Sequence, residues 1–311
     1  MSPETGGELS SLKVKRGDGW KELLFRAEDM SRRKRGLWRG RCPWLFPAVG
    51  RNYLPDQLRR VAATGADEVL GSWALKGKPL AMPLHGFAMN KVWEPLGGGP
   101  GEATCRLENG PDGRLFYPFD FELVARYGFL DDGVLKGSPG PAGPGVFARL
   151  EVSASDRNEG PMPFSVGNHI TLATSDFRLR TPAKTAFDLT PQSLFAGTTR
   201  PAGLAEPTEV GLRSPLLNAV VGDFDCEESW VEVVDRDGFT VRVSQHEIAD
   251  TAVGFTSPAH YYFVFWGDPE AGLFCPEPWY GGPNSLNERR GVVELPPGAR
   301  FSWEMRIRLP K

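Results

Sequence analysis

The sequence predicts an all-β fold, a sandwich or barrel of antiparallel strands. Apolar and polar residues alternate with period two in segment after segment, which places one side of each segment on a buried face. The 28 prolines and 37 glycines are spread along the 311 residues, which suits short strands joined by turns and disfavours long helices. Asp235-Arg236-Asp237-Gly238 stands between two alternating runs, and its glycine supplies the positive φ that a tight hairpin turn demands.

Taken from the N-terminus, residues 21–26 are expected to pair back on residues 8–14 across the Gly17-Asp18-Gly19 turn. Residues 56–63 form the one modest helical candidate. Residues 119–127, 146–152 and 301–309 place apolar side chains two apart and read as strands with one buried face. Residues 162–166 are apolar and strand-like, and residues 230–234 and 239–243 form the two arms of the hairpin named above. Glycine-rich stretches at residues 97–101 and 137–145 read as loops; the second holds three Gly-x-y triplets, too few for a collagen helix. No composition break and no internal repeat divides the chain, so residues 1–311 are read as a single domain.

Hydrophobic residues make up 40% and charged residues 24%, enough apolar surface for a sizeable core. A net charge of −3 offers nucleic acid no overall attraction, and a small neutral or singly charged ligand fits better than a polyanion. Cys42, Cys105, Cys226 and Cys275 are scattered, without zinc or redox spacing, and are expected to be buried thiols. The longest apolar run, residues 261–266, falls far short of the ~20 residues of a membrane span, so no membrane partner is expected. The start of the chain lacks a basic region followed by an apolar stretch, and no Asn-x-Ser/Thr sequon occurs; a reducing cytoplasm is the expected location. Nucleophile-elbow, phosphate-loop, dinucleotide-binding and His-Glu-x-x-His motifs are absent from the sequence.

Three segments carry groups suited to moving protons near neutral pH: Leu84-His85-Gly86-Phe87-Ala88, Phe164-Ser165-Val166-Gly167-Asn168-His169 and Cys275-Pro276-Glu277-Pro278-Trp279. The prolines around Glu277 fix φ and remove backbone donors, which presents the carboxylate on a stiff extended segment. Burial beside Trp279 would raise its basicity. Alternation puts His169 on the face opposite Phe164, so His169 is expected to point into a cleft. Trp279 could form a wall for the apolar face of a sugar ring. His246 and His260 read as structural.

Together with Leu45-Phe46-Pro47-Ala48-Val49-Gly50-Arg51, these segments resemble, in order and context, the aldose 1-epimerase (galactose mutarotase) family. The opening residues 7–13 and 20–24 and the closing residues 295–303 extend the resemblance over most of the chain. It implies a large antiparallel β-supersandwich and a cofactor-free, metal-free reaction: a base takes the proton of the anomeric hydroxyl while an acid protonates the ring oxygen, and the opened sugar recloses as the other anomer. The roles it implies are Glu277 as base, His169 as acid, His85 as supporting donor, and Arg51 and Asn168 as sugar contacts beside Trp279. Met89 and Tyr280-Gly281-Gly282-Pro283-Asn284 depart from the family pattern, which bears on the substrate more than on the catalytic groups.

Two alternatives stay open. Arg32, Arg33, Lys34, Arg35, Arg39 and Arg41 crowd one region and would suit a hexose 6-phosphate. A non-catalytic carbohydrate-binding module on the same fold would keep the cleft without turnover. The sequence gives no reading of the sugar or of the oligomeric state.

Overall fold

The computed structural model describes residues 1–28, 38–65, 69–130, 143–214, 216–225, 228–248 and 260–310. Arg32, Arg33, Lys34, Arg35, Cys226 and residues 137–142 of the glycine-rich stretch lie outside the described residues.

Two large antiparallel sheets dominate. One has seven strands, in the spatial order Phe195–Pro201, Thr185–Leu189, Ala219–Gly222, Tyr261–Asp268, Leu273–Tyr280, Val166–Asn168 and Trp44–Leu45. The other has nine: Thr208–Gly211, Asp176–Arg180, Ser229–Asp235, Thr240–Glu247, Arg300–Arg308, Gly145–Ala154, Phe121–Leu130, Glu102–Glu108 and Glu94–Gly97. Alternation explains how they meet. Phe301, Trp303, Met305 and Ile307 leave one face of their strand and are all buried. Trp303 meets Trp44 of the facing sheet edge to face at 6.1 Å, and Phe301 meets Tyr280 at 5.4 Å.

The expected helix and the strands near residues 146–152, 230–234 and 301–309 lie within one or two residues of their expected ends, while Phe121–Leu130 and Thr240–Glu247 run three and four residues farther. The hairpin turns at residues 236–238, with Gly238 at φ 77° and Val231 opposite Val243. The helical candidate is the helix Pro55–Thr64. The N-terminal hairpin is shorter than expected: Lys13–Arg16 pairs with Gly19–Glu22, while Glu8 and Leu9 bridge Ser2 and Cys42 instead. Residues 162–166 do not form one strand. Met162–Phe164 pairs with Val293–Leu295, and Val166–Asn168 starts anew in the seven-stranded sheet. At the break the Ser165 side chain accepts the Val49 N–H, which ties the segment to the residues before Arg51.

The strand Leu273–Tyr280 is central and fully buried, although it contains two prolines. Phe274 exchanges both backbone bonds with Leu172, so by alternation Pro276 and Pro278 turn to that same side. There the neighbouring chain diverges after Asn168. The residues between, Cys275, Glu277 and Trp279, turn their backbones toward Tyr261–Asp268, where Glu277 lies opposite Val264. The missing N–H groups therefore cost no ladder bond with Tyr261–Asp268.

Candidate active site

The two faces of the seven-stranded sheet have different duties. Phe263, Phe265, Phe274 and Tyr280 point into the core between the sheets. Glu277, Val264, Trp266 and Trp279 point the other way and line a cavity of about 750 Å³, together with Trp38, Gly50, Arg51, His85, His169 and residues farther out. Glu277, His169, His85, Arg51 and Trp279, expected at a site from sequence, thus meet at one cavity although up to 226 residues separate them (Arg51 to Glu277).

Glu277 Oε1 lies 3.2 Å from His169 Nε2, and its Oε2 accepts the Trp279 indole N–H at 3.1 Å. Both partners are almost inaccessible, Glu277 at 2% and His169 at 5%. Desolvation drives the two groups in opposite directions. It raises the Glu277 carboxyl well above its ordinary 4.5 and, with help from His85, lowers the His169 imidazole well below 6.5. Both shifts favour a protonated carboxyl beside a neutral imidazole. Moving that proton from carboxyl to imidazole yields a carboxylate base beside an imidazolium acid, the combination that concerted proton transfer to and from a sugar needs.

His85 is fixed from two sides by Gly50. The His85 N–H donates to the Gly50 carbonyl at 3.0 Å, and the Gly50 N–H donates to His85 Nδ1 at 3.2 Å. Because Nδ1 accepts, the ring proton is on Nε2. Burial, with Arg51 adding to it, lowers the pKa of His85 to about 3, so the ring remains a neutral donor. His85 has φ 62°, a left-handed conformation costing a non-glycine residue roughly 1–2 kcal/mol. Gly86 follows at φ 71° with its α-carbon so close to the Phe46 carbonyl that a Cβ would sit 2.2 Å from the oxygen. This contact is what lets the His85 loop lie against the Phe46-Pro47 segment. The ring centroids of His85 and His169 are 5.2 Å apart.

Nothing in its local sequence singles out Trp38. Its indole stacks on His169 at 3.8 Å with 29° between the planes, and its N–H donates to Thr171 Oγ1 at 2.9 Å. Thr171 Oγ1 in turn donates to the His169 carbonyl at 3.1 Å and accepts the Cys275 thiol. Trp266 meets the imidazole edge-on at 5.9 Å and Trp38 edge-on at 6.2 Å. The two indoles cover the imidazole, and burial is the leading cause of the shifts in the pair. Trp38→Ala is expected to hydrate it, which moves the acid limb of the pH–rate profile up and the alkaline limb down. The plateau narrows at both ends while Trp38→Phe keeps it. A pH–rate series on the three proteins reads this directly, and an unmoved profile in the alanine variant would contradict it.

Asn168 is a correction. It lies on the same face as Phe164 and Val166, is fully buried, and does not line the cavity. Its Nδ2 donates to the Cys42 carbonyl at 3.1 Å and its Oδ1 accepts the Cys42 thiol at 2.9 Å, so it braces the strand before His169 instead of touching a ligand. Trp279 does line the cavity, but at 4% exposure its indole N–H is committed to Glu277 and its rim packs against Gly50. His246 and His260 lie outside the cavity, against Glu304 and Tyr280. Cys42, Cys105 and Cys275 are buried free thiols. Leu189, Ser193, Asn218 and Asp268 also line the cavity, and neither they nor Trp266 has a sequence context that distinguishes it.

Among the described residues, His85, His169 and Glu277 also form a group whose potential ligand atoms lie within 4.8 Å of one another, as a divalent cation would need. No helix among the described residues is long and apolar enough to cross a membrane.

No protein-family model matches the sequence, and no curated protein matches it. Solved structures do. A galactose mutarotase-related enzyme from Lactobacillus acidophilus aligns with TM-score 0.73 at 20% identity over 100% of this chain and 93% of that one. A galactose mutarotase-like protein from Lactobacillus casei aligns with TM-score 0.71 at 19% identity over 98% and 95%. A galactose 1-epimerase from Lactobacillus acidophilus aligns with TM-score 0.61 at 13% identity over 92% and 84%. The chain has the galactose mutarotase-like fold, the antiparallel supersandwich that the sequence resemblance implies.

Proposed function

We propose that the chain is an aldose 1-epimerase that interconverts the α and β anomers of a hexose, and that residues 1–311 act as one domain. The observation that carries this reading is the 3.2 Å approach of Glu277 Oε1 to His169 Nε2 inside a cavity that also holds a neutral imidazole donor. The anomeric hydroxyl and the ring oxygen share one carbon, so adjacent base and acid can reach both. Glu277 takes the hydroxyl proton as His169 protonates the ring oxygen; after rotation about C1–C2 the roles reverse and the ring closes on the other carbonyl face. His85 Nε2–H donates to an oxygen of the same centre, and Arg51, a planar fork of donors at the rim, holds ring hydroxyls. The three buried thiols fit a reducing compartment.

The test is the optical rotation of freshly dissolved α-D-glucose and α-D-galactose, which purified protein is expected to bring to equilibrium faster than buffer does. Spontaneous rates with several free and phosphorylated aldoses would overturn the reading. The acceleration is expected to survive a chelator, because the residues themselves carry the protons. Added Zn²⁺ is expected to inhibit by drawing His85, His169 and Glu277 together. Calorimetric binding of a sugar without anomer exchange would instead identify a binding module.

A further inference from the structure

Arg51 enters the cavity from a segment that is held residue by residue. The Ser165 side chain takes the Val49 N–H, and Gly50 exchanges two bonds with His85, so the chain is anchored up to Arg51 from the catalytic side. From Arg51 onward a different partner takes over. The Asn284 N–H donates to the Arg51 carbonyl at 2.8 Å, and Asn284 Oδ1 accepts the Tyr53 N–H at 2.9 Å. Between them, Asn52 Oδ1 accepts the Leu286 N–H at 3.2 Å. Arg51, Asn52 and Tyr53 are thus bonded in succession to one short turn that lies 231 to 234 residues farther along the chain. The guanidinium belongs to the same system: Arg51 Nη1 donates to the Tyr53 hydroxyl at 3.4 Å. Asn284 therefore holds Arg51 by its carbonyl and also holds the residue on which its side chain leans.

The amide at position 284 is fully used. Asn284 is buried, its Oδ1 also accepts the Asn287 amide at 2.9 Å, and its Nδ2 donates to the exposed Glu288 at 3.1 Å. Its φ of 60° is a left-handed conformation that asparagine adopts more readily than most residues, and in it the backbone N–H and the side-chain oxygen face the same segment. Aspartate would have the same shape without the donor, and would set a second carboxylate against Glu288. Asn284 itself does not line the cavity, whereas Arg51 does. Its bonds reach the segment beyond Gly50 and leave Glu277 and His169 alone.

We infer that Asn284 is a positioning residue: it sets the Arg51 guanidinium in the cavity so that its fork meets ring hydroxyls, and it acts on the sugar through Arg51. This rests on the sugar-binding role proposed for Arg51. Polarimetry separates binding from chemistry. Asn284→Gly keeps the left-handed backbone and removes the side-chain bonds; it is expected to raise KM for glucose or galactose about tenfold, the worth of one good hydrogen bond, with kcat within about twofold. Arg51→Ala is expected to raise KM at least as much, and Asn284→Gly added to it to change KM no further. A residue that merely stabilised the fold would add its own loss. Asn284→Asp is expected to raise KM about threefold at low salt, the scale of an exposed charge contact, and Glu288→Gln, which supplies a donor, to restore it. Glu288→Gln alone is expected to be silent. This pair also decides the matter if Asn284→Gly loses its fold. In calorimetry, methyl α-D-glucoside and methyl β-D-galactoside, which cannot open, are expected to show the same losses of affinity without turnover. A fall in kcat at unchanged KM, additive losses in the Arg51→Ala background, or an Asn284→Asp defect that is absent or that Glu288→Gln does not restore would overturn the inference. Weaker glycoside binding by the Asn284 variants with no anomer exchange by wild type would support the positioning role and defeat the anomerase reading. A wild-type protein that neither exchanges anomers nor binds either glycoside would overturn both.

Discussion

Glu277→Gln is expected to lower kcat/KM for anomer exchange by at least ~10³-fold, since one well-placed proton transfer contributes ~10² to 10⁴ and, among the described residues, no other carboxylate lines the catalytic end. The substitution preserves shape. The glutamine carbonyl can still accept the Trp279 N–H, so the strand and the cavity wall remain. The fold should not suffer, and the sign of the linkage says where it gains. A carboxyl whose folded pKa is raised binds its proton more tightly in the native state, so wild-type stability falls as pH rises from the unfolded value of ~4.3 toward the folded value. Glutamine removes the share of that fall that Glu277 contributes, while Glu228 and Glu247 keep theirs. Thermal unfolding should therefore show the variant at least as stable as wild type at pH 8 while polarimetry shows it inactive. Activity within tenfold of wild type would remove Glu277 from the role of base.

The second large effect is expected at His169. Asn in its place retains a polar group but has no proton to give at neutral pH, and kcat/KM is expected to fall by ~10² to 10⁴. The informative experiment combines the two changes. Because carboxyl and imidazole stand 3.2 Å apart, they act as a unit, and the Glu277→Gln, His169→Asn double variant should be about as slow as the slower single variant. Fully additive losses would mean that each residue works alone. Wild-type stability should also fall as pH drops below 6.5, because the unfolded chain takes up protons there that the buried imidazoles refuse, and the His169 variant should show a smaller fall, with His85, His246 and His260 keeping theirs.

Much of this architecture is legible in local sequence chemistry. Period-two alternation locates the strands 121–130, 145–154 and 300–308, and the Asp235–Gly238 turn locates a hairpin, because both signals are contained within a dozen residues. Pairing order is not legible. Leu273–Tyr280 lies beside Val166–Asn168, over a hundred residues away, and only the packed core selects that neighbour. The same division holds at the site. Glu277, His85 and His169 stand in distinctive local contexts, whereas Trp38, Trp266, Asn218 and Asp268 line the cavity because of where the chain brings them. Asn168 is instructive in the opposite direction. Alternation places it on the face of Phe164, and its assignment to the sugar comes from the resemblance alone; the residue-level periodicity is the better guide.

The one-sided prolines of the Leu273–Tyr280 strand have a consequence for folding. Were that strand to mispair by one residue, the ring nitrogens of Pro276 and Pro278 would confront acceptors of the 261–268 strand, forfeiting two bonds of about 0.5–1.5 kcal/mol each. The same frame shift would drive the Glu277 carboxyl toward Phe263 and Phe265, with no partner for it. Offset versions of this sheet thus exclude themselves, and the alignment that survives is the one that delivers the carboxyl to the imidazole.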